Sequence, residues 1–233
     1  IMYKKNKIAL VTGAGSGIGK HLSILLSKKN YHVLLIGRNL NNLEKVDNEI
    51  KQVNGSSSIV NLDLDDFQGI DNLGLEIFKK YKKLDLLVLN AGILGTLGPL
   101  SHQDPSEFEN VLRINLISNF RLLRSLDYLL KKSDEGNILC ISSGAAHGFR
   151  AYWGAYSISK AALEQMAMIW KAENKHNNVN IRVINPGATR TKMRALAMPG
   201  EDPNSIKSAK TTAEKIIQIL TNQKEKENFK INL

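Results

Sequence analysis

Short apolar runs alternate with longer amphipathic stretches along almost the whole of this 233-residue sequence. The runs are as long as strands and nearly continuously hydrophobic, which is typical of strands covered on both faces in a parallel sheet. We predict strands at 7–12, 32–37, 58–63, 84–90, 137–142 and 180–185, and a weak one in the terminal NFKINL. We predict helices near 17–29, 40–53, 67–82, 105–132, 154–177 and 211–221. This βαβ order predicts a doubly wound, Rossmann-like α/β fold, with a parallel sheet of six or seven strands and helices on both faces.

Length and composition indicate one domain over residues 1–233. A hydrophobic content of 42% supports one sizeable core. The longest apolar runs are far shorter than the roughly 18 residues of a membrane-spanning helix, and the first residues lack the pattern of a signal peptide. The one cysteine, Cys140, excludes an intrachain disulfide, so we expect a reducing compartment, the cytoplasm.

The net charge of +10 would suit an anionic partner. The lysines are scattered in ones and twos, however, and aromatic residues make up only 6% of the chain. A nucleic-acid surface needs a basic stripe with stacking residues, so we interpret the charge as a solvated surface.

In doubly wound sheets, ligands bind beyond the carboxyl ends of the strands. Glycine-containing and polar segments of this chain follow the predicted strands at that edge, at 12–19, 90–92 and 186–191. The irregular stretch 188–210 is predicted to form a mobile lid over the same edge.

The segment TGAGSGIGK, residues 12–20, joins the first strand to the first helix. Gly13 and Gly17 permit a tight turn and close approach of a ligand, and Gly19 permits close helix packing. The helix N-terminus offers free N–H donors to a diphosphate. The alternative is a purely structural turn between strand and helix.

Arg38 stands after the second strand, where a site for NAD usually has an acidic residue. A guanidinium binds the 2′-phosphate of NADP in a forked, charge-assisted way, whereas a carboxylate repels it. NADP(H) is therefore favoured over NAD(H), the alternative being an arginine merely solvated in a turn. Asp63, at the end of the third strand, either accepts a hydrogen bond from adenine or caps a helix within DLDDF.

Asn115 falls inside the helix predicted at 105–132. The apolar positions of that helix define its predicted buried face: Phe108, Val111, Leu112, Leu116 and Phe120. An unsatisfied amide on this face would cost about 1 to 3 kcal/mol. Asn115 is therefore either a satisfied core amide or a link in a polar relay. Asn90 can likewise bridge neighbouring strand ends in a purely structural role.

Tyr156 and Lys160, four residues apart in a predicted helix, leave the same face of that helix. Two other pairs have the same spacing: Tyr3 with Lys7, and Tyr128 with Lys132. Only the first pair has a hydroxyl companion, because Ser143 ends the fifth strand thirteen residues before Tyr156 and a loop of that length can bring the two together. The other pairs are predicted to lie at the opposite edge of the sheet.

Together, residues 12–19, the NAG at 90–92, Asn115, Ser143, Tyr156, Lys160 and the PGATRT at 186–191 resemble the short-chain dehydrogenase/reductase family in its single-domain form. WGAYSISK, NPGATRTKMRA and EDP are further similar to an uncharacterised bacterial oxidoreductase branch of it. The resemblance implies an enzyme, a nicotinamide-dependent carbonyl reductase or alcohol dehydrogenase, that forms a homodimer or homotetramer and binds no metal. Two departures stand out: Leu89 replaces the family's usual asparagine, and the chain ends without the usual glycine-containing tail.

The resemblance also implies roles for individual residues. The catalytic set is Ser143, Tyr156, Lys160 and Asn115. The cofactor contacts are Gly13, Ser16, Gly17, Ile18, Gly19, Arg38, Asp63, Asn90, Ala91, Gly92, Tyr156, Lys160, Pro186, Gly187, Thr189 and Thr191. Lys160 and the positive nicotinamide would lower the Tyr156 pKa from its ordinary value near 10. Ser143 would hydrogen-bond the carbonyl oxygen, and Asn115 would anchor a water that relays protons to Lys160.

The lid carries Arg190, Lys192 and Arg194 beside apolar residues. A cationic rim around an apolar slot suits an acyl chain on an acidic carrier protein or on coenzyme A, so we expect a ketone or 3-oxoacyl thioester as substrate. Two non-enzymatic alternatives are a protein that binds NADP(H) without turnover and a nucleic-acid binder. The first would not need Ser143, Tyr156 and Lys160 together.

Overall fold

The structure of the chain, a computed structural model, describes residues 7–222 and 229–233. Its strands are β1 (Lys7–Thr12), β2 (Tyr31–Gly37), β3 (Ser56–Asn61), β4 (Leu86–Leu89), β5 (Gly136–Ile141), β6 (Val179–Asn185), β7 (Thr189–Arg190), β8 (Lys207–Ser208) and β9 (Lys230–Asn232). Its α-helices are α1 (Gly17–Ser27), α2 (Leu40–Gln52), α3 (Phe67–Tyr81), α4 (Pro105–Leu112), α5 (Ser118–Lys131), α6 (Gly154–Glu173), α7 (Lys192–Ala197) and α8 (Ala209–Thr221). A π-helical turn, Arg113–Ile117, joins α4 to α5.

The main sheet has seven strands in the order β3-β2-β1-β4-β5-β6-β9, and all neighbouring strands are parallel. This confirms the predicted doubly wound parallel sheet. The weak terminal strand is β9, although Asn228 of NFKINL lies outside the described residues. β7 and β8 pair with each other inside the predicted lid. The order of the strands reverses between β1 and β4, which opens a crevice beyond their carboxyl ends.

Side chains of β1 point alternately to the two faces of the sheet, because successive residues of a strand face opposite ways. Ile8 and Leu10 pack in a core cluster with residues of α3, α5 and α6. Ala9 and Val11 pack in a second cluster with residues of α1, α2 and α8. Helices therefore cover both faces of the sheet, as the apolar runs predict.

The third strand differs from its prediction, since β3 covers Ser56–Asn61 rather than 58–63. β3 is an edge strand and begins with polar residues that the hydrophobic pattern misses. The Ser56 and Ser58 hydroxyls lie 2.6 and 3.0 Å from the two ring nitrogens of His32 on β2. Hydrogen bonds to β2 thus replace apolar packing at the start of the strand.

The long helix predicted at 105–132 is divided by the π-helical turn. The extra residue in this turn rotates every following side chain about the helix axis. Phe120, predicted on the buried face, is consequently 52% exposed, whereas Val111, which precedes the turn, is fully buried. Within the described residues, no helix combines the length and apolarity that crossing a bilayer requires.

Candidate active site

A cleft of about 900 Å³ opens at the carboxyl edge of the sheet. Every predicted site residue except Gly19 and Asn115 lines it: Gly13, Ser16, Gly17, Ile18, Arg38, Asp63, Asn90, Ala91, Gly92, Ser143, Tyr156, Lys160, Pro186, Gly187, Thr189 and Thr191. Residues far apart in the sequence therefore meet on one surface. Gly19 and Asn115 lie directly behind that surface.

The turn between β1 and α1 requires glycine at defined positions. Gly13 and Gly17 have positive φ angles of 65° and 54°, which side chains rarely adopt. At Gly19 a Cβ atom would lie 2.4 Å from the Gly13 carbonyl oxygen, so a larger residue there would push α1 away from the turn. Ser16 precedes the helix, and its side chain caps none of the described N–H groups of α1. The first N–H donors of α1 are thus presented to the cleft, where they suit an anion.

The ends of β1 and β4 are tied together beneath this turn. The Thr12 hydroxyl accepts hydrogen bonds of 3.0 Å from the backbone N–H groups of Asn90 and Ala91. The Asn90 side chain donates to the Thr12 carbonyl oxygen at 2.9 Å. Asn90 therefore has the bridging role that its sequence position allows, while it also lines the cleft.

Arg38 and Asp63 lie at the far end of the cleft from Tyr156, beyond β2 and β3. Arg38 is exposed there and makes no hydrogen bond or ion pair within 7–222 and 229–233. The helix cap within DLDDF is Asp66, which accepts from the Gly69 N–H at 2.9 Å. Asp63 remains exposed in the cleft, with one oxygen accepting from the Asp65 N–H. The cleft end thus offers a free guanidinium and a carboxylate.

Ser143, Tyr156 and Lys160 meet in the middle of the cleft. β5 ends just before Ser143, and the first turns of α6 carry the other two. The Ser143 hydroxyl hydrogen-bonds the Tyr156 phenol. The Lys160 ammonium is buried and donates to the Ile141 carbonyl oxygen at 2.9 Å, with its nitrogen 5.8 Å from the centre of the Tyr156 ring.

Burial governs the protonation of these two groups. It raises the pKa of Tyr156 above its ordinary value, and the hydrogen bond with Ser143 opposes that rise. Tyr156 is 8% exposed, and the Lys160 ammonium is turned toward the Ile141 carbonyl. Burial also lowers the pKa of Lys160 to about 8, while Cys140 and Glu164 oppose the change.

The Tyr128–Lys132 pair, which has the same spacing, has no such surroundings. Tyr128 is 57% exposed on α5, and the Lys132 ammonium lies 5.2 Å from the centre of its ring. Neither of these two residues lines the cleft. Tyr3 lies outside the described residues.

Asn115 is fully buried in the π-helical turn and has partners for its whole side chain. Its oxygen accepts from the Ile93 N–H at 2.8 Å, and its nitrogen donates to the Ile93 carbonyl at 2.9 Å and the Ser159 hydroxyl at 3.0 Å. The amide is therefore satisfied, which was one of the two roles the sequence left open. It fixes the loop after β4 against α6, between Tyr156 and Lys160.

The segment 188–210 has a local structure of its own, with α7 and the β7–β8 pair. Its charges differ from the cationic rim expected from the sequence. Arg194 forms a forked ion pair with Glu201, at 2.7 and 2.5 Å. Arg190 donates to Asn204 at 3.1 Å and does not line the cleft. Lys192 lines the cleft and is exposed.

Sequence analysis missed two residues beside Tyr156. Trp153 precedes α6, and its ring meets the Tyr156 ring edge-on, with centres 6.0 Å apart. The Arg150 guanidinium lies 5.6 Å from the centre of the Trp153 ring. Both line the cleft. Trp153 stands directly before α6 and three residues before Tyr156, and this position is the signal that could have identified it.

Glu164, one turn beyond Lys160, was also missed. It is buried, and its carboxylate accepts from the Ser142 hydroxyl, lies 2.6 Å from His147 Nε2 and pairs with the Lys230 ammonium at 3.0 Å. Burial alone would raise its pKa, but these hydrogen bonds outweigh burial and hold the pKa below its ordinary value. The cluster joins β5, α6 and β9 directly behind the catalytic candidates.

Comparison with known proteins agrees with this geometry. A family model described as short chain dehydrogenase matches residues 7–202. The uncharacterized oxidoreductase YciK of Escherichia coli K12 is 36% identical over 87% of this chain and 81% of its own length. A fatty acyl-CoA reductase of Acinetobacter baylyi is 33% identical over 82% of this chain and 65% of its own length. A crystal structure of a short chain dehydrogenase from Shigella flexneri, complexed with NADP, superposes with a TM-score of 0.90 at 33% identity and covers 97% of this chain and 95% of the other.

Proposed function

The chain belongs to the short-chain dehydrogenase family of oxidoreductases, and from that premise we propose that it is an NADP(H)-dependent carbonyl reductase or alcohol dehydrogenase. The observation that carries this proposal is the meeting of Ser143, Tyr156 and Lys160 in the cleft that the glycine turn also lines. A protein that only bound the cofactor would not need this trio. We assign catalysis to these three residues, with Asn115 holding the loop that faces them.

The cleft fits NADP(H) by the chemistry of its donors. The glycine turn leaves no side chain between the N-terminus of α1 and a diphosphate. The exposed guanidinium of Arg38 suits a 2′-phosphate, and Asp63 suits the adenine amino group. Pro186, Gly187, Thr189 and Thr191 line the opposite end, where they would brace the nicotinamide carboxamide. The NADP complex of the Shigella flexneri relative supports the same preference.

When bound, NADPH supplies the hydride that reduces the carbonyl carbon. The Ser143 hydroxyl donates a hydrogen bond to the carbonyl oxygen, and this bond strengthens as the oxygen gains negative charge. Tyr156 gives its phenolic proton to the same oxygen, which completes the alcohol. The nearby Lys160 ammonium stabilises the resulting phenolate, and a proton from solvent restores the phenol.

For the substrate, we propose a ketone or a 3-oxoacyl thioester. Leu94, Met193 and Ala197 add apolar side chains to the lining of the cleft. The name of the Acinetobacter baylyi relative supports an acyl thioester. We further propose that residues 1–233 act as one catalytic domain, that 188–210 is the substrate lid, and that the enzyme is a homo-oligomer.

The test is NADPH oxidation with a panel of ketones and oxoacyl thioesters, comparing the wild type with Tyr156→Phe. We expect an active wild type and a loss of about 100- to 10,000-fold in kcat, because the phenol is the proton donor. Tyr128→Phe is the matched control, since Tyr128 has the same spacing to a lysine but lies outside the cleft, and it should keep full activity. Equal activity of Tyr156→Phe and the wild type would refute the proposed mechanism.

A further inference from the structure

The charges that line the cleft are divided between its two halves. Its carboxylates within the described residues are Asp63 and Asp65, which both follow β3, and Asp65 is paired with Arg113 at 2.7 Å. The half that contains Tyr156 is lined instead by Arg150, Lys192 and Arg194, besides the buried Lys160 of the catalytic trio. That half therefore carries an excess of positive charge.

Only some of these cations are available to a ligand. Arg194 is neutralised by its forked ion pair with Glu201. Arg150 and Lys192 are exposed and have no ion pair among the described residues. They approach the cleft from different elements, Arg150 from the loop before α6 and Lys192 from the start of α7.

Arg150 is oriented by its neighbours. Its guanidinium lies 5.6 Å from the centre of the Trp153 ring. The centre of that ring lies 6.0 Å from the centre of the Tyr156 ring. The loop is fixed at Tyr152, whose φ of 73° is strained for a large residue, by a hydrogen bond of 2.9 Å from the Gly98 N–H to the Tyr152 carbonyl. The Trp153 ring therefore lies between the Tyr156 phenol and the Arg150 guanidinium and packs against both.

We propose that Arg150 and Trp153 form a subsite for an oxyanion of the substrate, so that the enzyme prefers carbonyl compounds that carry a carboxylate or phosphate. The proposal rests on the proposed function and names the substrate class for the same site. The substrate carbonyl lies at Tyr156, its carbon chain lies against the Trp153 ring, and its oxyanion receives the forked donors of Arg150. Lys192 adds positive potential from the opposite rim.

The kinetic test compares ketones that differ only in charge. Levulinate is paired with pentan-2-one and 7-oxooctanoate with octan-2-one, because a carboxylate then replaces a terminal methyl group. We consider the pair of ketones that the wild type reduces with the higher kcat/KM. Within that pair, we expect kcat/KM for the acid to exceed that for the neutral ketone by about tenfold, because one charge-assisted contact at a partly exposed site has about this effect. Arg150→Gln should remove this preference, and Arg150→Lys should restore part of it.

Two further arms make the kinetic result specific. A 3-oxoacyl coenzyme A and the same acyl group on neutral N-acetylcysteamine show whether the oxyanion belongs to a free acid or to the carrier. Arg124→Gln is the matched control, because Arg124 is exposed on α5 and outside the cleft. If Arg150→Gln lowers kcat/KM equally for charged and neutral ketones, the subsite does not exist, and the proposed oxidoreductase function is unaffected.

A binding test separates the subsite from turnover. Trp153 and Trp170 are the chain's two tryptophans, so Trp170→Phe leaves Trp153 as the only reporter of tryptophan fluorescence. We expect octanoate, but not octan-1-ol, to change this fluorescence in a saturable way, and Arg150→Gln to abolish the change. An unaltered response in Arg150→Gln would overturn the subsite. If the fluorescence response depends on Arg150 but the protein reduces no ketone, the result supports the subsite and contradicts the proposed reaction.

Discussion

Glu164 is the buried charge closest in sequence to Lys160, and replacing it should shift the pH dependence of the reaction. Its negative charge faces Lys160 on its own helix, Cys140 and Ser142 on and after β5, His147 in the following loop and Lys230 on β9. A negative charge raises the pKa of an acid near it, so Glu164 favours the ammonium form of Lys160. The proposed reduction of a ketone needs this ammonium beside the Tyr156 phenol.

The magnitude follows from the spacing of the two charges. Residues four apart on a helix have Cβ atoms about 5 to 6 Å apart, which places the two charges roughly 7 Å from each other. At an effective dielectric constant of about 20, Coulomb's law gives about 2 kcal/mol at that distance. Lys230 offsets part of this energy, because its ammonium contacts the Glu164 carboxylate at 3.0 Å. An effect of about 1.4 kcal/mol, or about one pH unit, remains.

The assay is the pH profile of kcat for NADPH-dependent ketone reduction. Glu164→Gln should move the basic limb of the profile to lower pH by about one unit. Lys230→Gln removes a positive charge from the same cluster, so it should move that limb to higher pH. Glu173→Gln is the control, because Glu173 is exposed at the end of α6. An electrostatic role would be refuted if the two variants shifted the basic limb in the same direction, or if neither shifted it. A packing defect, unlike a lost charge, gives no reason for the two variants to shift the limb in opposite directions.

Three other measurements test separate parts of the structure. Arg38→Gln should raise KM for NADPH by about 10- to 100-fold and leave KM for NADH unchanged, because only NADPH carries the 2′-phosphate; equal effects on both cofactors would contradict the assignment. Gly19→Ala should lower the free energy of unfolding in urea by about 1 to 3 kcal/mol, since its Cβ would lie 2.4 Å from the Gly13 oxygen. Gly98→Ala should not, because a Cβ there meets no atom of the described residues within 4 Å. The ionised form of Glu164 stabilises the fold above its unfolded-state pKa of 4.5, and this stability is lost as pH falls through the lower folded-state pKa. The wild-type melting temperature should therefore fall more steeply in acid than that of Glu164→Gln.

The sheet was predictable from the sequence because its central strands are covered on both faces. Such strands appear as short apolar runs: the bounds of β1, β5 and β6 lie within one residue of their predicted bounds, and β4 lies inside its predicted range. The edge strand β3 was displaced by two residues, since its first serines bind the His32 side chain rather than the core. Hydrophobicity thus locates a strand well where the core determines it and less well where side-chain hydrogen bonds do.

Most of the predicted site residues belong to segments that follow strands, and parallel strands bring their carboxyl ends to one edge. That rule is enough to gather Gly13, Arg38, Asn90 and Ser143 in one cleft. The rule gives no information about contacts between side chains that lie far apart in the sequence. The partners of Glu164 are of this kind, because His147 and Lys230 reach it from a loop and from the last strand.

The turn at Asn115 could have been predicted from polar residues on a face that should be apolar. Ser118 and Asn119 follow Asn115 and are both buried. The Ser118 hydroxyl donates to the Ile114 carbonyl at 2.6 Å, and the Asn119 side chain donates to the Asn115 carbonyl at 2.7 Å. A widened turn leaves carbonyl groups without their usual helical partners, and these two side chains satisfy them. A buried asparagine followed three and four residues later by small polar side chains is therefore a sequence sign of a π-helical turn, and of the rotated face that exposes Phe120.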